Sequence, residues 1–208
     1  MTPEVMTAKR LIELTEAESA REFERVSKEL LAHNAAQGVN YWAGSPHPAI
    51  LIGAGRIFDF LRVLEEVVGF LPARRHSYLV GYRSGRNGAE VSRQFFRELP
   101  REEVAPELLK AGSRTLAGAG WGRCLIEADL EQGGVRWVFP RGTAIGLAAL
   151  RDGIRKDVAC PYMAGVVAGW SNTSLGTNLE VQEVECVSRG EERCVFESTE
   201  FIRFRTRA

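Results

Sequence analysis

The stretch EVECVSRGEERC, Glu183–Cys194, places two of the chain's four cysteines symmetrically about a single glycine. Folded as a hairpin centred on Gly190, it sets Cys186 opposite Cys194. Val184 and Val187 then lie on one arm, Val195 and Phe196 on the other. Ser188, Arg189, Gly190 and Glu191 make the polar turn, with the glycine free to take a positive φ. Directly opposed residues of an antiparallel pair hold their Cβ atoms about 4.5–5.5 Å apart. Two thiols at that separation can form a disulfide, share a metal ion or simply pack.

Upstream of the hairpin, about Val158 to Leu175 reads as a helix, with Cys160 at its start and Pro161 well placed in its first turn. Thr143 to Ile154 reads as another. In WGRCLIEADL the period changes: Cys124, Ile126, Ala128 and Leu130 alternate with Arg123, Glu127 and Asp129, the pattern of a half-buried strand. Gln132-Gly133-Gly134 turns it into VRWVFP, so 121–140 is a second hairpin. A helix covers Glu102 to about Ala117. From Ala73 to Leu99 the signals mix, because Gly81, Gly85 and Gly88 interrupt a helical pattern that Pro100 ends.

Gly53-Ala54-Gly55 ahead of an apolar helix imitates a dinucleotide-binding turn. The third glycine of that fingerprint is replaced by Phe58, and no strand ending in a ribose-binding acid follows. The glycines are read as a tight turn before a buried helix, Arg56 to Gly69. The first helix is expected from Glu16 to Gln37, opened by a Thr15/Glu18 capping box and striped by Ala20, Phe23, Val26, Leu30 and Leu31. Residues 39–48 read as a loop. The fold class is α+β, helices packed on antiparallel hairpins. Two parts are expected: an N-terminal helical element, 1–48, whose stripe packs on its own domain or on a second subunit, and a main domain, 49–208.

Twenty-seven basic residues balance twenty-seven acidic ones, so net charge gives no reason to expect nucleic acid or an anionic membrane as partner. No apolar run approaches the roughly 18–20 residues of a membrane span. The start has Glu4 and Glu13 and no signal-peptide core. A cytoplasmic location is expected, where disulfides are rare. His33 is expected near the end of the first helix, His47 in a loop and His76 after two arginines. They converge on nothing, no nucleophile–base pair is readable, and no enzyme is expected.

The segments GYRSGRNGAE (81–90), CPYMAGVVAGW (160–170) and QEVECVSRGEERCVFE (182–197) resemble the 4-vinyl-reductase family of predicted hydrocarbon-binding domains. Within it they look most like the sensor domains of sigma-54-dependent activators of aromatic catabolism. That resemblance implies a structural zinc ion (Zn2+) held by Cys160, Glu183, Cys186 and Cys194, stapling the C-terminal hairpin, and a fold like the subunits of the vesicle-tethering transport particle. Tetrahedral zinc with bonds near 2.3 Å sets sulfurs about 3.8 Å apart, and a helix N-terminus at Cys160 lowers its thiol pKa. Glu183 and Cys186, three apart, face opposite sides of a regular strand and can share an ion only across a bulge or strand end. Glu180 and Glu185 are the alternatives to Glu183. The plainer reading makes Cys186 and Cys194 core thiols, as Cys124 is expected to be.

The resemblance further implies a pocket for a small hydrophobic or aromatic molecule, a homodimer, and control of an output such as transcription through a fused region or a separate partner. The candidate lining residues are Arg114, Trp121, Trp137, Phe139, Tyr162 and Trp170. The sequence departs from the phenol-sensing branch: Phe139 and Arg114 stand where those sensors use a tryptophan and a histidine to hold the phenolic hydroxyl. A less polar ligand, or an acidic one met by Arg114, is expected instead. Two other classes stay open. One is a tetrapyrrole-binding helper or vinyl reductase in bacteriochlorophyll synthesis; the other is an assembly module holding an acyl chain.

Overall fold

In a computed structural model, residues 9–26, 28, 31–34, 39–42, 48–49, 52–131 and 133–199 are described. The elements in chain order are β1 (Lys9–Glu13), α1 (Glu16–Arg25), β2 (Leu31–Asn34), β3 (Val39–Trp42), β4 (Pro48–Ala49), α2 (Ala54–Val68), α3 (Phe70–Arg93) and α4 (Arg101–Gly118). They continue with β5 (Leu125–Asp129), β6 (Val135–Phe139), α5 (Ala144–Leu150), α6 (Pro161–Leu175), β7 (Val181–Glu185) and β8 (Cys194–Ser198). An antiparallel sheet of order β1-β5-β6-β8-β7 packs against helices, the expected α+β arrangement, and β2, β3 and β4 form a small sheet of their own. No helix among the described residues is long and apolar enough to cross a membrane.

Two expectations need correction. The first helix keeps its Thr15/Glu18 capping box but ends at Arg25. Leu31–Asn34, including His33, pairs instead with Val39–Trp42, in a stretch read as a loop. His47 lies outside the described residues, while His76 sits on α3 with Nδ1 2.7 Å from the Pro72 carbonyl. Within 1–48, β1 and α1 also pack on the rest of the chain. β1 forms the edge of the main sheet beside β5, from Lys9↔Asp129 to Glu13↔Leu125. α1 lies on α4, where Val26 is buried against Gly118.

The second correction concerns Ala73 to Leu99, where α3 runs unbroken for 24 residues through all three glycines. Its partner explains this. A Cβ at Gly81 would stand 2.0 Å from the Tyr162 carbonyl oxygen, and one at Gly85 2.0 Å from that of Val166. Reciprocally, a Cβ at Gly165 would meet the Tyr78 carbonyl at 2.0 Å, and one at Gly169 that of Tyr82 at 2.1 Å. The partners advance in the same sense along both chains, so α3 and α6 run parallel, backbone against backbone. Glycine costs a helix about 1 kcal/mol relative to alanine; here it permits a contact that no side chain leaves room for.

α6 is buried along most of its length between α3, α4 and the sheet. Gly176, at φ 69°, ends it, and the Asn172 side-chain oxygen accepts from the Leu179 N–H at 2.7 Å and from the Thr177 hydroxyl at 2.9 Å, directing the chain into β7. On the sheet's other face the buried Arg136 donates to Glu197 at 2.7 Å and Glu127 at 2.9 Å, residues directly opposite it on β8 and β5. These pairs favour the observed register.

Gly81→Ala is expected to lower stability by about 3 kcal/mol or more, the upper range for overpacking. Gly88→Ala, whose Cβ would meet only the Trp170 ring, at 2.6 Å, is expected to cost less. Urea titrations of the two variants check the order.

Candidate metal centre and aromatic core

The hairpin read at Glu183–Cys194 forms as expected, with Glu185 opposite Val195. A 3₁₀ turn, Val187–Arg189, and Gly190 at φ 88° close it. The register shifts between Glu183, opposite Phe196, and Glu185, so β7 carries one extra residue there. Across that bulge the alternation of side chains is broken, and Glu183 faces the same pocket as Cys186. The carboxylate–thiol pairing that a regular strand forbids is thereby built. Glu185 instead binds Arg193 at 2.7 Å.

Cys160, at the N-cap of α6, completes a group with Glu183, Cys186 and Cys194 whose ligand atoms all lie within 4.8 Å of one another. The Cys194–Cys186 sulfurs are 3.8 Å apart and the Cys160–Cys186 sulfurs 4.0 Å. That is about twice the ~2.05 Å of a disulfide and close to the edge of a tetrahedron around a four-coordinate ion. Glu183 Oε2 accepts the Cys160 N–H at 2.8 Å, while its Oε1 is buried with no hydrogen-bond partner. A buried carboxylate oxygen left bare is costly, and a cation among the three thiols satisfies it. The group fits a metal ion in donor type, spacing and burial.

Electrostatics point the same way. Burial, then the Cys186 thiol beside it, pushes the Glu183 carboxyl well above the usual carboxylate range. Burial, then its thiol neighbours Cys186 and Cys194, likewise raise the Cys160 thiol, the opposite of the direction expected from a helix N-terminus. Hydrogen bonds from Cys160 and Cys186 hold Cys194 down at about 4. Burial thus favours the protonated forms of Glu183 and Cys160, and a cation bound there would displace those protons.

Two hydroxyls that the sequence reading missed steady the thiols. Thr143 Oγ1 lies 3.1 Å from Cys160 Sγ and 3.9 Å from Cys194 Sγ while accepting the Gly146 N–H at 3.0 Å as the cap of α5. Ser188 Oγ lies 3.0 Å from Cys186 Sγ. The capping position of Thr143 was visible in sequence; its second contact, with cysteines 17 and 51 residues away, was not. Cys124 stands apart as expected: it is buried, its Sγ lies 3.5 Å from Ser113 Oγ, and burial pushes it up to about 12.

The six candidate lining residues divide into three sets. Trp137, Phe139 and Trp170 are buried together. The Trp137 indole donates to Ser171 Oγ at 3.0 Å and the Trp170 indole to the Leu108 carbonyl at 2.6 Å, while Phe139 meets Phe196 edge to face at 5.6 Å. Trp121 and Tyr162 are half-buried and stacked, centroids 5.5 Å apart, with the tyrosine hydroxyl donating to Ser84 at 3.3 Å. Arg114 joins neither set; it faces α1, its Nε 3.8 Å from Glu22.

Residues 153–200, the span carrying all four candidate ligands, match the 4-vinyl-reductase domain, which bears out the resemblance to that family. Among solved structures the chain is similar to the phenol-responsive sensory domain of the transcription activator PoxR, crystallised with phenol. The TM-score is 0.71 at 16% identity, over 88% of this chain and 90% of that one. At that identity the likeness is one of fold. No curated protein matches the chain.

With an ion bound, Cys194→Ser is expected to cost more than about 4 kcal/mol, as loss of a metal site does. Cys124→Ser is expected to cost only the ~1–3 kcal/mol of an imperfectly paired buried hydroxyl. Equal melting temperatures for the two would show that Cys194 holds no ion.

Proposed function

We propose that this chain is a non-catalytic sensor domain that binds a small hydrophobic or aromatic molecule and, as a homodimer, regulates an output, most simply transcription. Zn2+ held by Cys160, Glu183, Cys186 and Cys194 is its structural cofactor. The observation that carries the reading is the closed donor set. Four protein ligands fill a tetrahedral shell and leave no open position for a substrate. When bound, zinc supplies a cross-link between the C-terminal hairpin and the start of α6. It makes that hairpin a fixed wall behind the aromatic layer of β6 and α6.

The ligand class follows from that layer. Trp137 and Phe139 share a face of β6 with Trp170 beyond them. Rigid rings offer large apolar area at little entropic cost, and ligand sites are mostly apolar with a few placed polar groups. Both indole N–H groups already have partners inside the domain, which favours a ligand with little hydrogen-bonding demand. Of the two alternatives to phenol, a less polar molecule is supported over an acid, because Arg114 already faces Glu22. The phenol-responsive function of the PoxR sensory domain supports the class without fixing the compound.

Elemental analysis of the purified chain is expected to return about one zinc per chain, with Cys186 and Cys194 protected from alkylation until the metal is removed. No metal together with freely alkylated thiols would overturn the zinc assignment. A panel of alkylbenzenes, phenols, fatty acids and porphyrins is expected to contain members that raise the melting temperature by mass action and quench tryptophan fluorescence. Phe139→Ala is expected to weaken that response while zinc stays bound. No shift for any member would reject the sensor reading, and catalytic consumption of one of them would replace it with an enzyme.

A further inference from the structure

Three thiolates and a carboxylate around a divalent ion carry two more negative charges than the ion neutralises. Cys160, Cys186 and Cys194 are wholly buried, so water cannot disperse that excess. A buried charge is costly unless hydrogen bonds meet it. Every sulfur of the group has a polar hydrogen beside it. The Val187 N–H serves Cys194, the Ser188 hydroxyl lies 3.0 Å from Cys186 Sγ and the Thr143 hydroxyl 3.1 Å from Cys160 Sγ.

The direction of the Thr143 bond follows from its surroundings. The side chain is wholly buried, and its hydroxyl has one proton to give. The oxygen accepts the Gly146 N–H at 3.0 Å. Among the described residues its other partners are two sulfurs, Cys160 at 3.1 Å and Cys194 at 3.9 Å. A thiolate only accepts, so with an ion bound the proton belongs to the nearer sulfur. The chain around Thr143 is shaped for this contact. A Cβ at Gly146 would stand 3.0 Å from Cys194 Sγ, and one at Gly142 2.9 Å from Val187. Glycine at both positions lets the segment press against the thiols and their turn. Val187 and Ser188 belong to the tail that carries Cys186, whereas Thr143 reaches in from the start of α5.

We infer that Thr143 is a positioning residue of the metal centre: its hydroxyl donates to the Cys160 sulfur, offsets part of the excess negative charge and so tightens retention of the ion. The inference rests on the zinc assignment proposed above. It gives Thr143 a role beyond capping α5, since the cap uses the oxygen's lone pair and the sulfur uses its proton.

The test compares the full-length wild type with Thr143→Val, Thr143→Ser and Thr143→Asp. Zinc affinity is read by competition with a chromophoric chelator, and the cobalt(II)-loaded chains are read by their sulfur-to-metal charge-transfer band. Thr143→Val is expected to weaken zinc binding at least ~10-fold, the usual effect of losing an outer partner of a ligand. Its cobalt band is expected to move to longer wavelength, because a sulfur without its hydrogen bond gives up electron density more readily. Thr143→Ser keeps the proton and is expected to retain both the affinity and the band. Thr143→Asp separates the two roles: it still offers Gly146 an acceptor but has no proton to give. A residue that only caps α5 would leave the aspartate variant at wild-type affinity; the inferred role puts it at or below the valine variant. The serine–aspartate pair decides the question if the valine variant does not fold. Wild-type affinity with an unshifted band in Thr143→Val, or equal zinc binding by the serine and aspartate variants, would overturn the inference alone. A wild type that takes up neither zinc nor cobalt would overturn the zinc assignment and this inference with it.

Discussion

α3 and α6 touch backbone to backbone, and the placement of nearly every other element follows from that contact. Two helices separated by ordinary side chains stand about 8–10 Å apart; glycines at 81, 85, 165 and 169 allow a closer approach. α6 is thereby drawn into the interior, where it meets the sheet on one side and α4 on another. Gly112 of α4 leaves space for both indoles: a Cβ there would lie 2.6 Å from the Trp170 ring nitrogen and 2.9 Å from Trp137. The close approach also fixes where α6 begins, and hence where Cys160 presents its thiol to the tail.

The thiol cluster is tied outward as well as inward. The Arg155 N–H donates to the Ser188 carbonyl at 2.7 Å, and the Arg155 guanidinium lies over the Phe58 ring, 5.0 Å from its centroid. Thr143 caps α5 while touching two of the thiols, and α5 packs on α2. The turn that carries Cys186 is therefore two contacts from α2. A shift of the hairpin relative to α6 has a packed route to that helix through discrete side chains.

What was legible in the sequence was what depends on near neighbours. The symmetry of Cys186 and Cys194 about Gly190 gave the tail hairpin, and the alternation around Ile126 gave the central one. The capping box at Thr15 marked the start of α1. What escaped depends on distant partners. Gly81 and Gly85 read as interruptions because the carbonyls they face lie about eighty residues downstream. The end of α1 escaped because an apolar stripe continues past Arg25, yet Val39–Trp42, rich in strand formers, takes Leu31–Asn34 as its pair. In the metal centre the donor set came from the family resemblance, and the need for a bulge followed from strand geometry. The roles of Thr143 and Ser188 were not legible, and neither was the burial that raises the Cys160 thiol.

Among the described residues β7 lies at the margin of the main sheet, with β8 on one side and no strand of that sheet on the other. A flat margin of this kind is a template on which a second chain can build, and proteins disarm it with kinks and charge. The extra residue between Glu183 and Glu185 bends β7 out of plane where an incoming strand would need it straight. The exposed Glu180 just ahead of it adds a charge at the same margin. The irregularity that turns a carboxylate toward three thiols therefore also disfavours the addition of a further strand at that margin.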